Sequence, residues 1–324
     1  MFLSFVIPLY NCESYIADCL ESILSCQLPI KEYEIIVVDD GSRDNGANIV
    51  KDYQTHHDNV IIFQQENKGA STARNVGIKK AQGEYIWFVD ADDRIDVQVL
   101  DMIYNRYRDD KAIELFCFNY TSVNSEGTEY IKEFKEIRHF DGCSYIEYHP
   151  YYYLWNKIFR KKSIYHISFP EGTKNTEDWY FDNVAIINMN RVVGLPINGY
   201  FYNTTNMSST LRTRTAESIK SNRCDTQRIH ELTFKFIQGL DNKRKIKAIR
   251  NALNYSIAGF FYAQYVDGVS VKDIKNIIKR YQLMGLYPIP KIHSKRADKF
   301  LLVANHKMLF YTMAYFHRIF RKRS

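Results

Sequence analysis

The sequence predicts an α/β fold: a mostly parallel central sheet flanked by helices, followed by a helical C-terminal extension. Three observations point there. Short β-branched apolar runs alternate with helix-period segments through the first third of the chain. Those runs lack the polar alternation of a half-solvated strand, which suits a parallel sheet covered on both faces. From about residue 213 the pattern turns helical and rich in Lys and Arg.

In order, the strand-like and helix-like pairs are 3–8 with 13–26, 34–38 with 45–53, 60–63 with 71–81, and 85–89 with 97–107. Ligands of such sheets bind beyond the carboxyl ends of the strands. The residues at those ends are Tyr10 and Asn11, then Asp39, Asp40, Gly41 and Ser42, then Asp90, Ala91, Asp92 and Asp93. Five carboxylates converging on one edge are costly unless a cation or hydrogen-bond donors offset them. Residues 111–212 are irregular and rich in Tyr, Phe and Trp, as one wall of a cleft would be.

A chain of 324 residues with 45% hydrophobic content buries a large core, which excludes disorder as its main state. The formal net charge of +7 favours anionic partners: nucleotides, acidic glycans, nucleic acid or a membrane surface. No recognisable nucleic-acid reader motif accompanies the basic residues, so nucleic acid is not an expected partner. The six cysteines form neither a C-x-x-C pair nor a zinc-spaced cluster. Cys12, Cys19 and Cys26, seven apart, are expected along one buried side of the first helix. Residues 1–10 carry no basic region or cleavage pattern and read as a first strand in a cytoplasmic protein. No apolar stretch approaches the roughly 20 residues that cross a bilayer.

Neither a G-x-G-x-x-G nor a G-x-x-x-x-G-K-[ST] loop occurs, so dinucleotide and P-loop chemistry lose their main signal. The run Asp90-Ala91-Asp92-Asp93, fixed to the strand-like segment 83–89, instead offers hard oxygen ligands for Mg²⁺ or Mn²⁺ on a diphosphate. A capped, solvated turn is the structural alternative for these acids and for Asp39 and Asp40.

Four blocks in order, Val6-Ile7-Pro8-Leu9-Tyr10-Asn11, Val37-Val38-Asp39-Asp40-Gly41-Ser42, Asn67-Lys68-Gly69-Ala70-Ser71 with Ala73-Arg74-Asn75, and Phe88-Val89-Asp90-Ala91-Asp92-Asp93, resemble the family 2 glycosyltransferases of the GT-A fold. The resemblance implies a Rossmann-like sheet, a nucleotide-sugar-binding half at 1–110 and an acceptor-binding half at 111–212, ahead of the helical, basic region that the pattern marks at 213–324. It implies a UDP-sugar or other nucleotide-sugar donor, with Asp40 accepting the imide N–H of uracil beside Asp39, and Pro8 and Tyr10 framing base and ribose. Arg74 would reach the diphosphate, a surface salt bridge being its alternative. Asp90, next to Ala91, would contact ribose or metal-bound water, and Asp92 with Asp93 would ligate the metal.

In the second half, Asn175-Thr176-Glu177-Asp178-Trp179 resembles the family's E-D motif, making Asp178 the expected general base and Glu177 its neighbour for positioning or acceptor contact. A helix start capped by Thr176 is compatible with that role. Leu154-Trp155-Asn156-Lys157 resembles another stretch of bacterial members, in which Trp155 stacks on a sugar or lies in the core and Lys157 faces phosphates or acceptor. Tyr202, Ser208 and Thr210 are expected in a loop over the donor. One base and no second nucleophile imply a single displacement that inverts the anomeric centre.

The expected activity is metal-dependent transfer of a sugar to a glycan or lipid-linked glycan in polysaccharide or lipopolysaccharide assembly. A sugar-nucleotide pyrophosphorylase would need a Gly-rich basic loop where Asn11-Cys12-Glu13 stands. A non-catalytic nucleotide-sugar-binding membrane scaffold is the third reading. In residues 306–324, Met308, Leu309, Met313, Phe316 and Phe320 recur at mostly three- and four-residue intervals, and Arg318, Arg321, Lys322 and Arg323 crowd the end. This suits peripheral association with an anionic membrane, or a docking helix with a solvated tail.

Overall fold

The structure, a computed structural model, describes residues 1–148, 153–206, 215–292 and 294–321. The chain divides into two units, Met1–Tyr145 with Tyr151–Thr213, and Ile146–Pro150 with Arg214–Ser324.

The first unit opens with β1 (Leu3–Leu9), α1 (Ile16–Leu24), β2 (Tyr33–Asp39), α2 (Gly46–His56), β3 (Val60–Gln64), α3 (Ala70–Lys80) and β4 (Tyr85–Phe88). It continues through β5 (Arg94–Ile95), α4 (Gln98–Tyr107), β6 (Leu115–Asn124), β7 (Gly127–Ile131), β8 (Arg138–Phe140), α5 (Gly142–Tyr148, whose residues from Ile146 onward are counted with the second unit), β9 (Lys157–Arg160), α6 (Lys161–Ile164), α7 (Glu177–Ile186) and β10 (Val192–Asn203). The strands form one sheet in the order β3-β2-β1-β4-β9-β6-β10-β5, with β7 on β6 and β8 on β10.

The α/β class stands, but the sheet is mixed rather than mostly parallel. The four strands β3, β2, β1 and β4 run parallel, and β9 lies antiparallel to both β4 and β6. A reversed strand needs no helical crossover, which is why the helix-strand rhythm fades after α4. Strands β1, β2 and β4 are buried apart from half-buried Pro8, so they read as continuous apolar runs. Their register, Leu9 opposite Asp39 and Val6 opposite Phe88, brings the loops after all three to one sheet edge.

Helix α1 is shorter than its pattern. Only Cys19 lies within it; Cys12 precedes it half-buried and Cys26 follows it buried, so the seven-residue spacing does not trace one helical side.

The second unit is helical: α8 (Ala216–Gln238), α9 (Lys243–Val266), α10 (Val271–Leu283), α11 (Lys295–Ala304) and α12 (Lys307–Arg321). Thr215, Asn242 and Ser270 cap the first three of these with side-chain oxygens, satisfying backbone N–H groups that have no helical partner. Inside, His230 bonds Tyr281 Oη at 2.6 Å and Ser256 Oγ at 2.8 Å, and burial pushes its imidazole down to about 3, so it is a neutral core residue. No described helix is long and apolar enough to cross a membrane.

Helix α3 sits against β1 at Gly77, where a methyl group would meet Val6 Cγ1 at 2.2 Å. Gly77→Ala is therefore expected to cost about 1–3 kcal/mol through overpacking, read as a lower denaturant midpoint at unchanged slope.

Candidate active site

The site starts at the end of β2. Asp39 Oδ1 accepts from Ser42 N at 3.0 Å and its Oδ2 from Gln64 Nε2 at 3.0 Å, which shapes the turn. Asp40 is buried and accepts from Lys68 N at 2.8 Å, Gly69 N at 2.8 Å and Gln65 Nε2 at 2.7 Å. Gly69, at φ +90°, heads α3, so this carboxylate lies where backbone N–H groups and the helix dipole favour negative charge. Three of its roughly four acceptor positions are thus filled from within the protein. Beside it, Asn11 takes φ +50°, accepts from Arg43 N at 2.8 Å and donates its own N–H to Ser42 Oγ at 3.1 Å. This lacing leaves Pro8 half-buried and Tyr10 exposed on the sheet edge.

Arg74 lies farther along α3 and is buried. Its Nη2 reaches Asp90 Oδ1 at 3.0 Å, and its Nη1 reaches Asp178 Oδ1 at 2.9 Å and Glu177 Oε1 at 3.2 Å. Neither a surface ion pair nor an outstretched phosphate ligand describes it. It is a cationic hub joining the acidic loop after β4 to the start of α7. Burial alone would lower the guanidinium's pKa, but Asp178, Asp90 and Glu177 together raise it. Its planar fork is what allows one cation to face several carboxylates at once.

One positive charge among three carboxylates leaves negative charge in excess. Asp178 registers it: burial pushes its carboxyl up, Arg74 pulls it down, and Glu177, Asp90 and Asp182 push it up again, to about 8. The two acids open α7, where the dipole favours them, but Thr176 does not cap the helix. Its hydroxyl donates to Asn175 O at 2.6 Å, and its backbone sits at φ +64°, a strained conformation for a β-branched residue that aims the next two side chains at Arg74.

The loop after β4 splits its acids between two jobs. Asp93 turns inward: Tyr200 Oη donates to its Oδ2 at 2.8 Å and Asn203 N to its Oδ1 at 2.7 Å. Burial, reinforced by Asp90 and Asp92, pushes this carboxyl well above the usual range. The expectation of Asp93 as a metal ligand is therefore corrected; it locks the loop onto β10. Ala91 is core. Asp92 Oδ2 accepts from Asn206 Nδ2 at 2.7 Å, and Asp90 keeps a side chain 32% exposed. Among the described residues no three potential ligands converge closely enough to hold an ion by themselves. Asp90 and Asp92 still fit a Mg²⁺ or Mn²⁺ ion that takes its remaining ligands from a diphosphate, the usual manner for Mg²⁺.

Two acceptor-side expectations are corrected. Trp155 is buried, with the rings of Tyr153, Tyr200 and Tyr202 stacked near it at 4.5–5.1 Å, so it is core and Tyr202 belongs to its stack. Lys157 is 1% exposed and pairs with Asp182 Oδ2 at 3.1 Å while also donating to Asn156 Oδ1 and Tyr153 O. Asp182 lies one turn after Asp178, so this buried pair fastens α7 to β9. Burial raises Asp182 to about 6 against the pull of Lys157. Ser208 and Thr210 lie outside the described residues. The residues missed from sequence were Tyr200, Asn203, Asn206 and Asp182; the polar stretch around 200–210 held the signal for the first three.

A family model described as glycosyl transferase family 2 matches residues 4–170. The chain is 30% identical over 210 residues to glycosyltransferase GlyA of Streptococcus pneumoniae, covering 61% of this chain and 30% of GlyA. Over 206 residues it is 30% identical to the poly(ribitol-phosphate) beta-N-acetylglucosaminyltransferase TarS of Staphylococcus aureus, covering 62% of this chain and 35% of TarS. It thus spans about a third of the length of these relatives. Residues 1–349 of S. aureus TarS, solved in complex with UDP-GlcNAc, share the fold at a TM-score of 0.76 and 23% identity, over 98% of this chain and 92% of that one.

Lys157→Met leaves the Asp182 carboxylate buried without its cation and is expected to cost about 3–5 kcal/mol in denaturant unfolding. Adding Asp182→Leu should recover much of the loss, a non-additivity that marks the two as one unit.

Proposed function

This chain belongs to glycosyl transferase family 2, and we propose that it is an inverting glycosyltransferase carrying a sugar from a UDP-sugar to a hydroxyl of a cell-surface glycan. The observation that carries the reading is Arg74, which ties the candidate donor loop at Asp90 to the candidate base at Asp178. The UDP-GlcNAc complex of TarS supports a UDP donor, and the substrate in the TarS name supports a polyol-phosphate or related glycan acceptor.

In this mechanism Pro8 and Tyr10 flank the base and ribose, and Asp40 offers its remaining acceptor position to the imide N–H of uracil. Cytosine has no donor there and leaves the carboxylate underpaired, which discriminates against it. Asp90 and Asp92 face the diphosphate. Asp90 and Asp92 would hold a divalent cation, which would supply neutralisation of the charge that develops on the departing nucleotide. Arg74 holds Asp90 and Asp178 at a fixed separation rather than gripping the phosphates itself.

The acceptor oxygen attacks the anomeric carbon as the bond to the diphosphate oxygen breaks, and the bonding pair leaves with the nucleotide. The hydroxyl proton passes to Asp178, which works in its deprotonated form. A pKa near 8 makes this carboxylate a stronger base than an ordinary one while leaving part of it ionised near neutrality. Glu177, shared with Arg74, keeps the base in register.

Three measurements test the reading. Asp178→Asn should abolish transfer while leaving the donor-induced thermal shift intact; an active variant removes Asp178 from the base role. The rate should climb with pH and level off above about 8 as Asp178 loses its proton, and a flat profile from pH 6 to 9 would contradict it. In a panel of nucleotide sugars, a UDP-sugar should raise the melting temperature more with Mn²⁺ than without, and Asp92→Asn should erase that difference.

A further inference from the structure

Charge is unevenly distributed along this chain. Residues 214–324 hold 23 Lys and Arg against 7 Asp and Glu, a surplus of +16, whereas residues 1–213 hold 21 against 30, a balance of −9. The modest overall +7 conceals this division.

Within the basic unit, α12 has two apolar faces. Its inner face is seated: Phe310 and Ala314 are buried, and the Phe310 ring lies 6.1 Å from Phe261 and 5.9 Å from Phe300. Its outer face exposes Met308 by 69%, Leu309 by 53%, Tyr315 by 56% and Phe316 by 52%. At about 100° per residue these four and Thr312 fill one arc of roughly 120°. Lys307 and Arg318 fall along one border of that arc, and Lys275 of α10 joins them, its Nζ 5.3 Å from the centre of the Tyr311 ring.

Single exposed apolar residues need no explanation, but a contiguous stripe on an already docked helix does. A soluble polyanion would engage the cations and leave the apolar arc wet. A second copy of this unit would bring two strongly positive surfaces together. An anionic lipid surface satisfies both features, with apolar side chains at the acyl boundary and cations at the phosphates.

We propose that α12 is an interfacial helix that lies in the headgroup layer of an anionic bilayer, inserting Met308, Leu309, Tyr315 and Phe316 and holding lipid phosphates with Lys275, Lys307 and Arg318. The proposal is independent of the transferase reading, because it concerns binding alone.

The test is co-sedimentation of the full chain with vesicles of phosphatidylcholine, or of an equal mixture of phosphatidylcholine and phosphatidylglycerol. Binding should be at least about tenfold tighter on the mixed vesicles and should weaken as salt is raised. Leu309→Ser with Phe316→Ser should lower the partition coefficient by about tenfold or more at an unchanged melting temperature. Lys275→Glu with Lys307→Glu should remove the preference for phosphatidylglycerol. Equal binding to both compositions, no binding, or serine variants that bind like the parent would overturn the proposal. So would light scattering that shows a dimer split by the serine substitutions, since the stripe would then belong to a second copy.

Discussion

A buried guanidinium can persist only if carboxylates surround it, and Arg74 is surrounded by Asp90, Asp178 and Glu177. Removing a charge from water costs several kcal/mol, so the fold must deliver these partners from elements far apart in sequence. Each element carries its own fastening. Helix α3 is pressed onto β1 at Gly77 and held at its start by Asp40, the acidic loop is locked to β10 through Asp93 and Tyr200, and α7 is tied to β9 by Lys157 and Asp182. Loosening any one of them moves a carboxylate away from the same cation.

This arrangement separates acids turned wholly inward from acids that stay partly exposed. Asp39, Asp93 and Asp182 have their oxygens turned to neighbours inside the protein. Asp90, Asp92 and Asp178 keep part of their surface exposed near the ends of the parallel strands, and burial, reinforced by the neighbouring carboxylates of Glu177, Asp90 and Asp182, is what raises Asp178. Strain at Thr176 is a further cost borne at this point, in keeping with a site that is over-determined by its surroundings.

Much of the stretch from β1 to α4 was legible because its signals are local. Apolar runs without alternation, helix-period segments and turn residues at strand ends all act within a few residues of themselves, and the first eight major elements lie close to where those patterns place them. The second half was not legible in that way. Strand β9 pairs between β4 and β6, and nothing local in Lys157-Ile158-Phe159-Arg160 states that its neighbours come from residues 85–87 and 115–117.

By itself, the sequence determined the α/β class, the acidic sheet edge, the family resemblance and the basic C-terminal region, since these rest on residue type and short-range order. Only the tertiary structure decided which way each polar side chain faces. Trp155, open between sugar platform and core in a linear reading, proves to be aromatic core, and Lys157, which looks like a ligand residue, proves to be half of a buried ion pair. Asp93 looks like a ligand and is a lock, and Arg74 looks like a phosphate hand and is the hub of the site. The reason is that a charged group's role is set by the partners that desolvate and pair it, and those partners are assembled by contacts spanning about a hundred residues of chain.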